Sequence, residues 1–128
     1  MKWVAVLLAA GSLFAFVPQK QKKPADVEIV ETKVVRDAGK ISVDGKIKVT
    51  GERPLHGLVI FFDFRSPEKE VVTSQKAVID DGTLEPGRDG VFHNEMVDAP
   101  RAVKYTIRAF DTHDKELRVA NPGPYIIE

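Results

Sequence analysis

Ile41-Ser42-Val43-Asp44-Gly45-Lys46-Ile47-Lys48-Val49-Thr50-Gly51 is the stretch whose pattern decides the fold. Ile41, Val43, Gly45, Ile47, Val49 and Gly51 take every second position, and Ser42, Asp44, Lys46, Lys48 and Thr50 fill the places between. Successive side chains of a strand point to opposite faces. This alternation therefore specifies an antiparallel strand with one face buried and the other in water. Gly45 and Gly51 bring no side chain to the buried face, and such gaps mark a bulge or a close neighbour.

Working outward, the same period recurs between turn signals. Leu58–Phe64 is the most apolar run after the N-terminal segment, and its β-branched and aromatic content favours strand. Ser66-Pro67-Glu68-Lys69 turns the chain into Val71–Ile79. Asp80-Asp81-Gly82 and Glu85–Gly90 are further turn punctuation before the strand Val91–Val97. In Ala102–Phe110, Val103, Tyr105, Ile107 and Ala109 share one side, while Lys104, Thr106, Arg108 and Phe110 share the other. Glu116–Ala120 and Tyr125–Ile127 close the series, and Val27–Val35 opens it with an irregular pattern that points to a bulge. About seven to eight short strands with regular turns and no helical window predict an all-β, antiparallel, immunoglobulin-like β-sandwich. No fixed-period repeat is present, which argues against a propeller or solenoid.

The start of the chain reads differently. Lys2 precedes the uninterrupted apolar and small-residue stretch Trp3–Val17, which breaks at Pro18. A charged start, a short apolar stretch and small residues near its end (Ala9–Gly11, Ala10–Ser12, Ala15) are the marks of a signal peptide. The stretch falls short of the ~20 residues that span a bilayer comfortably. The expected organisation is a signal peptide or short membrane anchor over residues 1–17, a basic, proline-bounded linker over 18–25 and a β-sandwich over 26–128. The expected location is secreted or periplasmic, tethered to the membrane if the leader is not cleaved. Lys20, Lys22 and Lys23 in the linker read as a solvated tether, with contact to an anionic membrane surface as the alternative.

Bulk properties narrow the function classes. The 128 residues contain no cysteine, which excludes disulfides, a thiol nucleophile, thiolate metal sites and lipid attachment at cysteine. Nineteen basic and nineteen acidic residues leave no net charge, whereas a nucleic-acid binder carries a clustered basic excess.

The order of features resembles the FxLYD family of small immunoglobulin-like envelope domains. The residues that carry the likeness run from about Val43 to Ile107. They are Val43-Asp44-Gly45-Lys46-Ile47-Lys48-Val49 for an early V-x-G-x-V type strand and Val59-Ile60-Phe61-Phe62-Asp63 for a strand ending in apolar, aromatic, aspartate. Leu84, the Pro86-Gly87 turn, Phe92 and the tyrosine-bearing strand of Tyr105 follow. Phe62 stands where the family name has tyrosine, and Val59 where it has phenylalanine. The resemblance implies a sandwich fold and an exported location, and it carries over no catalytic residue.

Catalytic patterns are weak. Nucleophilic catalysis needs a hydroxyl beside an oriented base. His56 reads as a loop residue, and His93 as a strand-surface residue paired with a neighbour. Asp111-Thr112-His113-Asp114 is the densest group of polar ligands. Four residues of one tight turn do not converge on a metal, and aspartates cap backbone N–H groups in turns. Asp63 and Glu95 are the available carboxylates for glycoside cleavage, and both read as solvent-facing strand residues. The expectation is a non-enzyme without cofactor or metal.

One feature asks for a partner. Leu58, Ile60, Phe62 and Phe64 point toward the core, so Val59, Phe61 and Asp63 point outward. Pairing with Ala102–Phe110 brings Phe110 to the same face, with Lys104 and Arg108 beside it. Val59, Phe61 and Phe110 rimmed by Lys104 and Arg108 form the candidate interaction patch. The patch predicts a non-catalytic module of the cell envelope that binds a protein or self-associates through this sheet face. A cation- or small-ligand-binding domain using the Asp111–Asp114 and Asp80–Asp81 loops is the alternative.

Overall fold

The alternating stretch forms β2 (Lys40–Val49), with Ile41, Val43, Ile47 and Val49 buried and the lysines facing out. It lies inside a four-stranded sheet between β1 (Val27–Asp37) and β7 (Asp89–Val97), and β9 (Val119–Ala120) adds to the far side of β1. The second four-stranded sheet runs β10 (Tyr125–Ile126), β8 (Lys104–Phe110), β4 (Val59–Arg65), β5 (Val71–Val78). A short ladder of β3 (Leu55–His56) with β6 (Thr83–Leu84) closes one end. This is a computed structural model, and it describes residues 24–79 and 82–128. The leader, the linker up to residue 23 and the Asp80–Asp81 pair lie outside the described residues. Among the described residues there is no helix, and the long strands follow the sequence pattern; the expected strand Glu116–Ala120 shortens to Val119–Ala120 and pairs in parallel, and β3 with β6 is a ladder that alternation does not announce.

The irregularity of the first strand is a bulge. Ile29 pairs with Ile47 and Glu31 with Lys46, which leaves Val30 as an extra residue. One extra residue reverses the inside/outside parity of everything beyond it. Val27 and Ile29 are buried before it, and Thr32, Val34 and Arg36 turn inward after it. The re-aimed residues are polar where their partners are polar. The hydroxyls of Thr32 and Tyr105 share a hydrogen bond of 2.7 Å across the two sheets, and Tyr105 is only 1% exposed. Arg36 Nε donates to Asp98 Oδ1 at 2.9 Å, and its Nη2 donates to the carbonyls of Ala99 and Ala102. One guanidinium thus fixes the crossover from β7 to β8.

The core is aromatic at its centre. Phe62 meets Phe92 at 5.5 Å, Tyr105 at 6.2 Å and Phe64 at 6.4 Å between ring centroids. Phe92 reaches this position because Gly45, its partner on β2, has no side chain. A Cβ on Gly45 would overlap both the Phe92 ring and the Glu31 carbonyl oxygen. The glycine gap is a close neighbour. Gly51 is different, since a Cβ there would meet nothing nearer than 3.8 Å.

The C-terminal segment closes one flank of the sandwich. Leu117 N donates to Ala109 O, after which Val119 and Ala120 cross to pair in parallel with Val27 and Glu28. The chain then returns, with Tyr125 and Ile126 opposite Tyr105 and Lys104 and with Ile127 N donating to Val103 O. On the opposite flank, β5 and β7 are the outermost strands of their sheets.

Gly45→Ala is expected to cost about 1–3 kcal/mol, the usual penalty for overpacking a tight core. Gly51→Ala should stay within about 0.5 kcal/mol. Chemical denaturation of the two variants side by side checks this; equal losses would show that the Phe92 contact is not the constraint.

Candidate interaction surface

Pairing of β4 with both neighbours assembles the outer face of the second sheet. Val59 stands between Val78 and Phe110, Phe61 between Lys76 and Arg108, and Asp63 between Ser74 and Thr106. Cross-strand neighbours on one face are the units that stabilise a sheet surface. Phe61 and Phe110 meet edge to face, with centroids 5.4 Å apart and planes at 87°. The Arg108 guanidinium carbon lies 5.3 Å from the Phe61 centroid and 5.6 Å from that of Phe110, which places a cation over two negative ring faces.

Asp63 holds that cation in place. Arg108 Nε donates to Asp63 Oδ2 at 2.7 Å and its Nη2 to Oδ1 at 3.1 Å, a two-point pairing, while Ser74 Oγ donates to Oδ1 at 2.7 Å. Asp63 is 5% exposed, so the expectation of a solvent-facing carboxylate is corrected. Its parity is outward as predicted, but Arg108 lies across it and removes it from water. Burial pushes the Asp63 carboxyl up. The hydrogen bonds from Arg108 and Ser74, with the charges of Arg108 and Arg65, outweigh that and hold it below its ordinary value. The bond to Asp63 raises the Arg108 guanidinium in turn.

Val59, Phe61, Arg108 and Phe110 therefore come together as predicted, each half-buried rather than fully open. Lys104 does not rim this group. It pairs with Arg65 and Ile126 at the other end of β8, four residues from Arg108. At ~3.3 Å per strand residue, that is roughly 13 Å away. Lys76 and the exposed Val78 take the rim, and their outward parity on β5 follows from the burial of Ala77 and Ile79.

The residues considered for catalysis are dispersed or occupied locally. Asp63 and Glu95 belong to different sheets. His93 Nδ1 lies 2.6 Å from Asp44 Oδ1 on the outer face of the first sheet. His56 Nδ1 lies 2.8 Å from Thr83 Oγ1, and Thr112 Oγ1 donates to the His56 carbonyl. Asp111 Oδ1 accepts the backbone N–H groups of His113 at 2.8 Å and Lys115 at 3.0 Å, as a turn aspartate does. The bond from Lys115 leads in holding the Asp111 carboxyl below its ordinary value, and the bond from His113 adds to it. A cleft of about 650 Å³ at this end of the sandwich is lined by Asp26, Arg53, His56, Asp111, His113 and Lys115, among others. Among the described residues, no three His, Asp or Glu side chains are grouped to hold a metal ion.

No protein-family model matches the chain, and no curated protein matches it significantly. Solved structures do. The chain is similar to part of a calcium-binding mutant of Bacteroides uniformis β-glucuronidase 2, with TM-score 0.54 and 14% identity over 73% of this chain and 14% of that one. It is also similar to the C-terminal domain of wzt, with TM-score 0.53 and 9% identity over 82% of this chain and 75% of that one. The chain spans only that small share of the glucuronidase, and at these identities the likeness is one of fold.

The pH dependence of stability follows from Asp63. Its native pKa lies below its unfolded value, so the unfolded chain binds the proton more tightly. The stabilisation is present above the unfolded carboxylate value of about 3.9 and is lost as pH falls through the lower native value. Asp63→Asn should lower stability by about 1–3 kcal/mol at neutral pH and reduce the acid slope below about pH 4. Calorimetry between about pH 2 and 7 reads both effects. An unchanged acid slope would exclude Asp63 as the group responsible.

Proposed function

We propose that this chain is a non-catalytic, exported β-sandwich module that binds a protein partner of the cell envelope on the outer face of its second sheet. The observation that carries the reading is Arg108, pinned by Asp63 across the half-buried rings of Phe61 and Phe110. A pre-ordered guanidinium over aromatic rings offers contact area with little rotamer entropy left to lose, and aromatic and arginine side chains dominate binding hot spots. Lys76 and Val78 extend the face, which suits a partner with an apolar centre and an acidic rim. The signal-like Lys2–Val17 stretch and the FxLYD resemblance support export and an envelope role.

A second reading has its own observation: His56, His113 and Asp111 are among the residues that line the end cleft. There the chain would take a small polar ligand or a cation. Calcium titration of the thermal midpoint separates the two readings, since an ion bound only by the native state raises the midpoint by mass action.

Phe61→Ser is expected to weaken partner capture by roughly tenfold or more. Loss of the Phe61–Phe110 pair should cost only about 0.5–1.5 kcal/mol of stability. Capture from envelope extract, with thermal melts of the same samples, measures both. Unfolding of Phe61→Ser would place the ring in the core; full binding by a folded variant would reject the face.

A further inference from the structure

β7 is an outermost strand nine residues long, and its sequence, Asp89–Val97, contains no lysine, arginine or proline. Natural edges of this length are guarded by such residues, by bulges or by a covering segment. The direction of its free backbone groups follows from the ladder. Val49 N donates to Arg88 O and Asp98 N donates to Gly39 O, so even-numbered residues of β7 bond to β2. Alternation leaves the N–H and C=O groups of Val91, His93, Glu95 and Val97 directed at the open edge.

The side chains of those four residues lie on the outer face, all exposed, with Val97 at 79%. Read in both directions they are self-complementary. An antiparallel second copy centred on Asn94 sets Val91 against Val97, His93 against Glu95, Glu95 against His93 and Val97 against Val91. Moving the centre by one residue destroys this match. Centring on His93 opposes two imidazoles and puts Glu95 against valine, and centring on Glu95 opposes two carboxylates. Charges on β2 extend the favoured pattern, because His93 already faces Asp44, and Lys40 reaches Glu95 at 3.7 Å.

Asn94 supplies an independent observation. Its Nδ2 is the buried side-chain nitrogen or oxygen that finds no hydrogen-bond partner among the described residues. Buried polar atoms are nearly always paired, and an exception calls for an explanation. In the favoured register Asn94 falls on the twofold axis, at a non-hydrogen-bonded pair where Cα atoms approach to about 4.5 Å and side chains are closest. A turn of each amide about χ2 brings the buried Nδ2 to the Oδ1 of the other copy, to which it then donates.

We infer that the protein forms a twofold dimer by antiparallel β7–β7 pairing centred on Asn94. The surface belongs to the first sheet, so the inference is independent of the Phe61 face and goes beyond it.

The register is tested directly, because the chain has no cysteine of its own. Asn94→Cys places two thiols within the ~4.4–6.8 Å Cα separation that a disulfide needs. Mild oxidation of the full chain should link it into a dimer, while Val71→Cys and Met96→Cys, each alone, stay monomeric. A second pair of variants tests the charges on the outer face. His93→Glu makes the edge wholly acidic, and His93→Lys with Glu95→Lys makes it wholly basic. Each alone should raise the dimer dissociation constant by roughly tenfold or more, and their mixture should restore it. Sedimentation velocity reads the masses, and thermal melts confirm folding. A monomeric wild type, equal cross-linking at all three cysteine positions, or a mixture no tighter than its components would each overturn the inference. Phe61→Ser should leave the dimer intact.

Discussion

The meeting of Gly45 and Phe92 is the constraint on which the sandwich depends. Removal of one side chain from β2 lets a ring from β7 settle against the sheet and reach Phe62 of the opposite one. Phe62 then contacts Tyr105, and the Tyr105 hydroxyl bonds to Thr32 back in the first sheet. Packing and polar satisfaction thus close a loop through both layers. Burial raises the Tyr105 hydroxyl above its ordinary pKa, while the Thr32 bond opposes that. Buried hydroxyls are tolerated when partnered, and this one also fixes how the two layers register.

The second sheet meets a different problem on its outer face, where two phenylalanines stand near water. Arg108 covers them with a charged group, and Asp63 keeps that group from swinging away. The carboxylate tolerates burial because three partners converge on it, Arg108 by hydrogen bond and charge, Ser74 by hydrogen bond and Arg65 by charge, and together they outweigh the cost of desolvation. The result is a surface both apolar and cationic, ordered before any partner arrives.

Much of the architecture was legible from parity alone. Ile41–Val49 and Val103–Ala109 alternate cleanly because each faces one core and one solvent layer, so period and burial coincide. β1 was harder. The extra residue at Val30 reverses its parity, so Thr32 and Arg36 are inward positions that a simple period assigns outward. Asp63 shows another limit, since alternation fixes direction but not what lies on top of a residue. Parity fixes the face on which Lys104 lies but says nothing about distance along the strand, and Lys76 joins the patch only through the register of β5 with β4, which alternation does not carry. Pairing of His93 with a neighbour was legible, whereas the identity of Asp44 as that neighbour required the register of β2 with β7. Glu116–Ala120 reads as one strand, but the two residues that do pair, Val119 and Ala120, are too few for a period to reveal that their partner is β1 or that the pairing is parallel.

That excursion has a consequence for how copies of the molecule can accumulate. The C-terminal segment stitches both layers together along one side, where β9 and β10 are two-residue strands. Stubs of that size give a growing ribbon almost nothing to template on, whereas a long open edge invites endless addition. On the unstitched side β5 and β7 each end a sheet with eight and nine residues, so each layer keeps one extended edge there, and a strand added to one leaves the other open.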